Sequence, residues 1–245
     1  MENQTLAFAE RTLRDHLALL PEGWGRNLEI ETGLSGGGDY SYCVRDGKAR
    51  VTGSTPGNVL LGVYDYLRSI GFVFLYPGKG GTYVPDLRKP ENLEAEKKSF
   101  TASYAHRGIC IEGADSLEET LDFIDWLPKN GFNAFFLQFQ KPDIFFERWY
   151  LHTYNPSLPP EVLTRQQLDG LDRQVEEAMA LRGIRCHRVG HGWTAQALGS
   201  IKAGFVWIQL LICAVVLVMV PFYRLDKKMP AVRAALAHEG EETAR

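Results

Sequence analysis

The sequence predicts an α/β protein: a small α+β domain, then strand–helix units of a parallel sheet, then one C-terminal transmembrane helix. Three observations carry this. Residues 1–98 run helix, strand, hairpin, helix, strand. Residues 104–192 alternate strand, helix, strand, helix, strand, the order of βαβ units with parallel strands. Ala203 to Tyr223 reads AGFVWIQLLICAVVLVMVPFY, 21 residues without a charge and with Gln209 as its one strongly polar side chain. At a rise of about 1.5 Å per residue, some 20 such residues cross a hydrocarbon layer of about 30 Å.

The elements follow in order. Thr5 to Leu20 places Leu6, Phe8, Ala9, Leu13, Leu17 and Leu20 at helical spacing, and Pro21 with Gly23 ends the helix. Asn27 to Thr32 alternates as a strand. Ser35 to Gly38 is a glycine-rich bend without the spacing or the following Lys-Ser/Thr that cradles a phosphate, so no nucleotide site is expected there. YSYCV and ARVTG flank a turn at Arg45-Asp46-Gly47-Lys48, where Asp-Gly supplies the positive φ angles of a tight hairpin. Thr55-Pro56 opens a helix over Gly57 to Ser69 with a Val59, Leu60, Val63, Tyr64, Leu67 stripe. Phe72 to Pro77 reads as a buried strand, and Pro85 to Lys98 as a polar linker with solvated charges.

The second half restarts at Tyr104 with the strand HRGICIEG. A helix over Ser116 to Asn130 has Ser116 at its N-cap and Glu118 and Glu119 in the first turn, where the helix dipole favours them; Pro128 kinks or ends it. Asn133 to Gln140 forms a strand, Asp143 to Tyr154 an irregular aromatic segment, Glu161 to Arg182 a helix, and IRCHRVGHG a third strand. The resulting divisions are 1–98, 99–199 and 200–245.

Composition narrows the function by exclusion. A net charge of −3 gives no electrostatic footprint for nucleic acid, and none is expected as a partner. Four dispersed cysteines without a C-x-x-C pair argue against a zinc site and a disulfide scaffold, and neither metal nor cofactor is expected. Charges interrupt any apolar stretch at the N-terminus, so no signal peptide is expected.

VTGSTPGNVLLGVYDYLRSIGFVFLYPG resembles the small domain that precedes the catalytic barrel in family 20 β-hexosaminidases and family 67 α-glucuronidases. HRGICIEGADSLEETLDFIDWLPKNGFNAFFLQF is similar to the first β-α-β of their (β/α)8 barrels, and GIRCHRVGHGWT to the third strand with its Gly-His loop. The resemblance covers about residues 1–199 and implies glycoside hydrolysis, with a carbohydrate or oligosaccharide as partner. Two departures stand beside it. The second sugar-gripping arginine of family 20, eight positions after the Arg-Gly arginine, is Asp115 here. The catalytic carboxylates of both families lie on strand four or later, whereas a barrel needs about 250 residues and Ser103 to Ser200 supplies 98, enough for about three strands. The resemblance therefore implies an incomplete barrel that lacks the catalytic pair. The tail, IKAGFVWIQLLICAVVLVMVPFYRLDKKMPAVRAAL, resembles the last helix of glycoside-pentoside-hexuronide sugar symporters, which implies a lipid-bilayer contact through 203–223. Arg224, Lys227, Lys228 and Arg233 follow that helix and place the tail in the cytoplasm, while the body also reads as cytoplasmic; the expected location is a single-pass membrane protein.

The catalytic residues are left unassigned, since hydrolysis needs two carboxyl groups flanking the bond. The substrate-binding candidates are Glu112, Gln138, His191 and Trp193. Glu112 ends the first barrel strand, where barrel sites are built; its alternative is a carboxylate that caps a neighbouring loop or pairs with Arg107. His191 and Trp193 sit in the loop after strand three, where an indole face suits the C–H side of a pyranose and loop packing is the alternative. Gln138 and Gln140 end strand two. His187 reads as a satisfied core histidine, His106 and Arg107 as barrel-floor residues, and Phe145, Phe146, Trp149 and Tyr150 as loop packing with a sugar subsite as the second reading. Three functions fit: a catalytically incomplete hydrolase-like protein, a membrane-anchored carbohydrate-binding accessory protein, and a fusion of a hydrolase fragment with a symporter end.

Overall fold

The computed structural model describes residues 2–87, 90–139, 144–153, 155–190, 204 and 206–216. The chain divides into two units, Met1–His191 and Gly192–Arg245.

The first unit holds two hydrophobic cores. In the N-terminal one, helix α1 (Glu2–Ala18) leads through a short 3-10 turn (Pro21–Asn27) to strand β1 (Glu29–Leu34), then the hairpin β2 (Tyr40–Arg45) and β3 (Lys48–Gly53), helix α2 (Pro56–Ser69), a two-residue ribbon of β4 (Val73–Phe74) and β5 (Thr82–Tyr83), and β6 (Ala95–Phe100). The main sheet has the order β1-β3-β2-β6, with β1 parallel to β3 and the other pairs antiparallel. Alternation along β2 and β3 sends Tyr40, Tyr42, Val44, Ala49 and Val51 into the core against α1 and α2. Ser41, Cys43, Arg50 and Thr52 fall on the other face, where Arg50 pairs with Glu31 at 2.7 Å. The hairpin turn is tight: Asp46 and Gly47 take φ of 50° and 74°, the left-handed pair that matches strand twist. Thr55 caps α2 by accepting from the Asn58 N–H at 3.2 Å, with Pro56 at the first position of the helix.

Two expectations are corrected here. The stretch read as a linker contains β6, a fourth strand paired with β2. Its run of Glu96, Lys97 and Lys98 looks like solvated loop, but charge on an exposed edge strand is how sheets block further pairing. The strand expected over 72–77 is reduced to Val73–Phe74, since Leu75 and Tyr76 stand in solvent.

The second core carries β7 (Gly108–Glu112), α3 (Leu117–Lys129), β8 (Ala134–Phe139), the short α4 (Phe145–Tyr150), α5 (Arg165–Leu181) and β9 (Arg185–Gly190). The three strands are parallel in the order β7-β8-β9. Ile109, Ile111, Phe135 and Leu137 face the helices and pack with Ile124, Leu127, Val175 and Met179. Ser116 caps α3, accepting from the Glu119 N–H at 3.0 Å. Pro128 is tolerated one residue from the end of α3. Helix α5 starts later than the hydrophobic pattern suggests because Thr164 and Gln167 form a capping box, each side chain bonding the other's backbone N–H. The segment read as irregular contains α4, whose Phe145 and Phe146 are buried.

The two cores are joined by polar contacts at helix ends. Trp126 Nε1 donates to the Phe74 carbonyl at 3.2 Å, Thr5 Oγ1 donates to the Ala180 carbonyl at 3.3 Å, and Arg68 reaches the Lys129 carbonyl. Asp125 on α3 takes Lys129 at 2.6 Å and Arg182 at 2.8 Å, and the Arg182 guanidinium lies over the Phe8 ring of α1.

In the second unit residues 206–216 are helical and exposed. The transmembrane helix expected at 203–223 is corrected: among the described residues no helix is long and apolar enough to cross a membrane. An uncharged run records hydropathy alone, whereas spanning also requires some twenty residues of continuous helix. The expected bilayer contact and single-pass location fall with it; residues 217–223 lie outside the described ones.

Candidate functional site

Parallel strands present one face to their helices and the other away from them. On β7–β9 the second face carries Cys110 and Glu112, Phe136 and Gln138, and His187, brought level by the registers Cys110↔Phe136↔His187 and Glu112↔Gln138. Glu112 and Gln138 are thus direct cross-strand neighbours at the C-terminal ends of β7 and β8. Behind them Cys110 Sγ donates to Gln138 Oε1 at 3.2 Å, which fixes the glutamine amide with its NH2 free to turn outward. Burial, with the nearby Glu112 charge, pushes the Cys110 thiol up, so it is a hydrogen-bond donor and no thiolate nucleophile. Just beyond, Gly113 (φ 98°) donates its N–H to the Gln138 carbonyl at 3.0 Å and turns the chain away from the sheet.

Arg107 does not serve as the partner of Glu112. It stands at the opposite end of β7, where its Nε donates to the Gly131 carbonyl at 3.0 Å and its Nη1 to the Tyr104 carbonyl at 2.8 Å. Its backbone N–H donates to Asn133 Oδ1 at 2.9 Å, and Asn133 Nδ2 donates back to the Ala105 carbonyl at 2.9 Å. This clasp sets the start of β7 against β8. His187 is not the satisfied core histidine the sequence suggested: its ring stacks on Phe136 at 4.6 Å, and its Nε2 is buried without a hydrogen-bond partner among the described residues. His106 contacts both the His187 ring and Arg185. His191, Trp193 and Gln140 lie outside the described residues.

Two features go beyond what the sequence reading made of them. Asp115, read only as standing where family 20 has an arginine, follows the strand end, and burial, reinforced by its hydrogen bond to Glu119, pushes its carboxyl up to about 7. Its Oδ1 also accepts from the Ser116 N–H at 2.8 Å, which ties it to the start of α3. The second is a cavity of about 400 Å³ beside Gly113, walled by Trp149 and Leu158 with Arg148, His152, Thr153 and Asn155 around it. No carboxylate belongs to its lining among the described residues. The signal available in the sequence was the F-F-E-R-W-Y spacing, which as a helical turn buries the two phenylalanines and leaves the tryptophan outside. No group of side chains suited to holding a metal occurs among the described residues.

This arrangement, a small α+β layer followed by parallel strand–helix units, recurs in solved structures. The chain is similar to a family 20 β-N-acetylhexosaminidase from Streptomyces coelicolor, with 17% identity over 74% of this chain and 38% of that one and a TM-score of 0.51. It is also similar to a family 89 glycoside hydrolase from Clostridium perfringens bound to its substrate GlcNAc-α-1,4-galactose, with 14% identity over 75% of this chain and 24% of that one and a TM-score of 0.50. The same family 89 enzyme in complex with PUGNAc gives 13% identity, 75% and 25% coverage and a TM-score of 0.50. At such identities the likeness is one of fold: this is a glycoside-hydrolase-like fold, and the chain spans well under half the length of the structures it matches. No family model matches the chain, and no curated protein does.

Proposed function

We propose that this chain is a glycoside-hydrolase-like carbohydrate-binding protein that holds a sugar at the C-terminal ends of β7 and β8 and does not cleave it. The observation that carries the reading is the level placement of Glu112 and Gln138 on neighbouring parallel strands. A carboxylate accepts hydrogen bonds from adjacent sugar hydroxyls, and a primary amide both donates and accepts, so the pair matches the alternating donors and acceptors on a pyranose edge. His191 and Trp193, which follow β9 in sequence, are assigned to the same site by the sequence resemblance. The N-acetylhexosamine chemistry of the similar family 20 and family 89 structures makes GlcNAc the first sugar to try.

Binding without turnover rests on the carboxyl inventory. Hydrolysis needs an acid and a second carboxylate on opposite sides of the glycosidic bond, about 5 Å apart for retention or 6.5–9.5 Å for inversion. Asp115 has the raised pKa of an acid, but it is bonded to the first turn of α3 and neighbours Glu119 there. Titration calorimetry with GlcNAc tests the reading: the wild type binds, and Glu112→Gln and Gln138→Ala each weaken binding about tenfold, the loss of one hydrogen bond to a charged or well-fixed group. Binding unchanged in both variants would remove Glu112 and Gln138 from the site.

A further inference from the structure

We propose that the cavity between the end of β7 and α4 is a second saccharide subsite, which takes the sugar ring next to the one held at Glu112 and Gln138; this rests on the carbohydrate-binding reading above. The site is continuous with the first, because Gly113 lines the cavity and directly follows Glu112.

Helix α4 separates its aromatic rings by environment. Phe145 and Phe146 are 1% and 3% exposed and belong to the core, while Trp149, three residues on, is 38% exposed and forms a cavity wall. A large ring left open beside two buried ones makes a platform, and the apolar C–H face of a pyranose is a ligand such a ring stacks upon. Leu158 supplies a second apolar surface.

The rim supplies what sugar hydroxyls require. Asn155 Oδ1 is already occupied by Ser157, accepting from its Oγ at 2.5 Å and its N–H at 3.3 Å, which leaves the amide NH2 as the end available to donate. Thr153 offers a hydroxyl that donates and accepts. His152 is one of two non-glycine residues with positive φ among the described residues, and the other, Asp46, is accounted for by the hairpin turn. At φ 48°, with its N–H donating to the Trp149 carbonyl at 3.0 Å, His152 turns the chain at the end of α4 and brings Thr153 and Asn155 to the same cavity. Left-handed backbone one residue past the C-cap is a common way to end a helix, and here it carries the chain from α4 to the cavity rim. The described lining residues supply apolar walls and a polar rim that includes Arg148, with no carboxylate among them, so they are equipped to bind a ring. Its volume of about 400 Å³ falls within the range of small-ligand sites.

The test is calorimetric titration of the full chain with GlcNAc and with the disaccharide GlcNAc-α-1,4-galactose, using the wild type, Trp149→Ala, Trp149→Phe and Glu112→Gln. The wild type binds the disaccharide more tightly than the monosaccharide. Trp149→Ala lowers disaccharide affinity about tenfold and leaves GlcNAc affinity unchanged, and Trp149→Phe restores most of the loss, because a smaller ring still stacks. If Trp149→Ala leaves disaccharide affinity intact while Glu112→Gln lowers it, the subsite is overturned and the first site stands. Equal losses for both sugars in Trp149→Ala overturn the separation into two subsites. A wild-type chain that binds neither sugar overturns both readings.

Discussion

Gly183 lies against Gly57 so closely that a methyl group on Gly183 would stand 2.6 Å from the Gly57 Cα. The contact joins the end of α5 to the start of α2, and with it the two cores of the first unit. Gly183 also holds φ at 65°, a conformation that L side chains adopt at a cost of about 1 kcal/mol or more. Strain and collision act together at this one position. Gly183→Ala is expected to destabilise the chain by roughly 2–3 kcal/mol, read as a lower urea midpoint at unchanged slope. A midpoint within error of the wild type would mean that the two helix ends do not meet.

The α5 capping box offers a smaller, local test. Thr164→Ala removes the hydroxyl that accepts from the Gln167 N–H and strands the reciprocal glutamine bond. The expected cost is about 1 kcal/mol, and Thr164→Ser recovers most of it. Equal stability of the alanine and serine variants would show that the helix start is held by packing alone.

Two groups, His16 and Asp125, each lose a stabilising contribution as the solution is acidified, in separate windows. His16 sits among Tyr64, Phe72 and Phe74, and burial holds its pKa below the ordinary 6.5, with the Lys129 charge adding to the effect. Asp15 and Asp125 oppose that shift, as does the hydrogen bond to the Thr12 carbonyl. At His16 the folded state therefore binds fewer protons than the unfolded chain as pH drops below 6.5, and this residue's contribution to stability declines through that range. Asp125 behaves as a paired carboxylate: burial raises its pKa, but Lys129 and Arg182 outweigh burial and bring it below the ordinary 3.8. Its stabilisation is present above 3.8 and is lost as pH falls through the lower, folded value. Asp115, raised to about 7, acts in the opposite sense and adds stability as pH falls towards 3.8. Each decline is therefore read as the difference between wild-type and variant urea midpoints across pH 7 to 3. His16→Gln should remove the loss below 6.5 and Asp125→Asn the loss below 3.8, and a difference curve that is flat for His16→Gln would locate that titration elsewhere.

How far the sequence led can be judged element by element. Strong local signals gave the right places: Asp46-Gly47 for the hairpin, Thr55-Pro56 and Ser116 for two helix starts, and the alternation in β7, β8 and β9. Signals that depend on tertiary context did not. Strand β6 is an edge whose charged residues are indistinguishable from a loop until β2 is found beside it. The apolar run after Ser200 records hydropathy, and among the described residues no helix is long and apolar enough to cross a membrane. At the site, Glu112 and Gln138 were legible because strand ends follow from strand periodicity. The Trp149 cavity was visible only as an aromatic cluster, since whether a ring lines a cavity or fills a core is decided by which turn of a helix faces the sheet.

The proposed function, binding without cleavage, is what would divide this chain from an active glycosidase, and one assay separates the two. The wild type and Glu112→Gln are incubated with a panel of aryl hexosaminides and hexosides while release of the aryl alcohol is followed, and GlcNAc binding is measured on the same preparations. Measurable GlcNAc affinity that Glu112→Gln weakens, with no aryl release above the buffer rate, is the expected result. Aryl release by the wild type that vanishes in Glu112→Gln would contradict it, because Glu112 would then be one half of a working carboxyl pair.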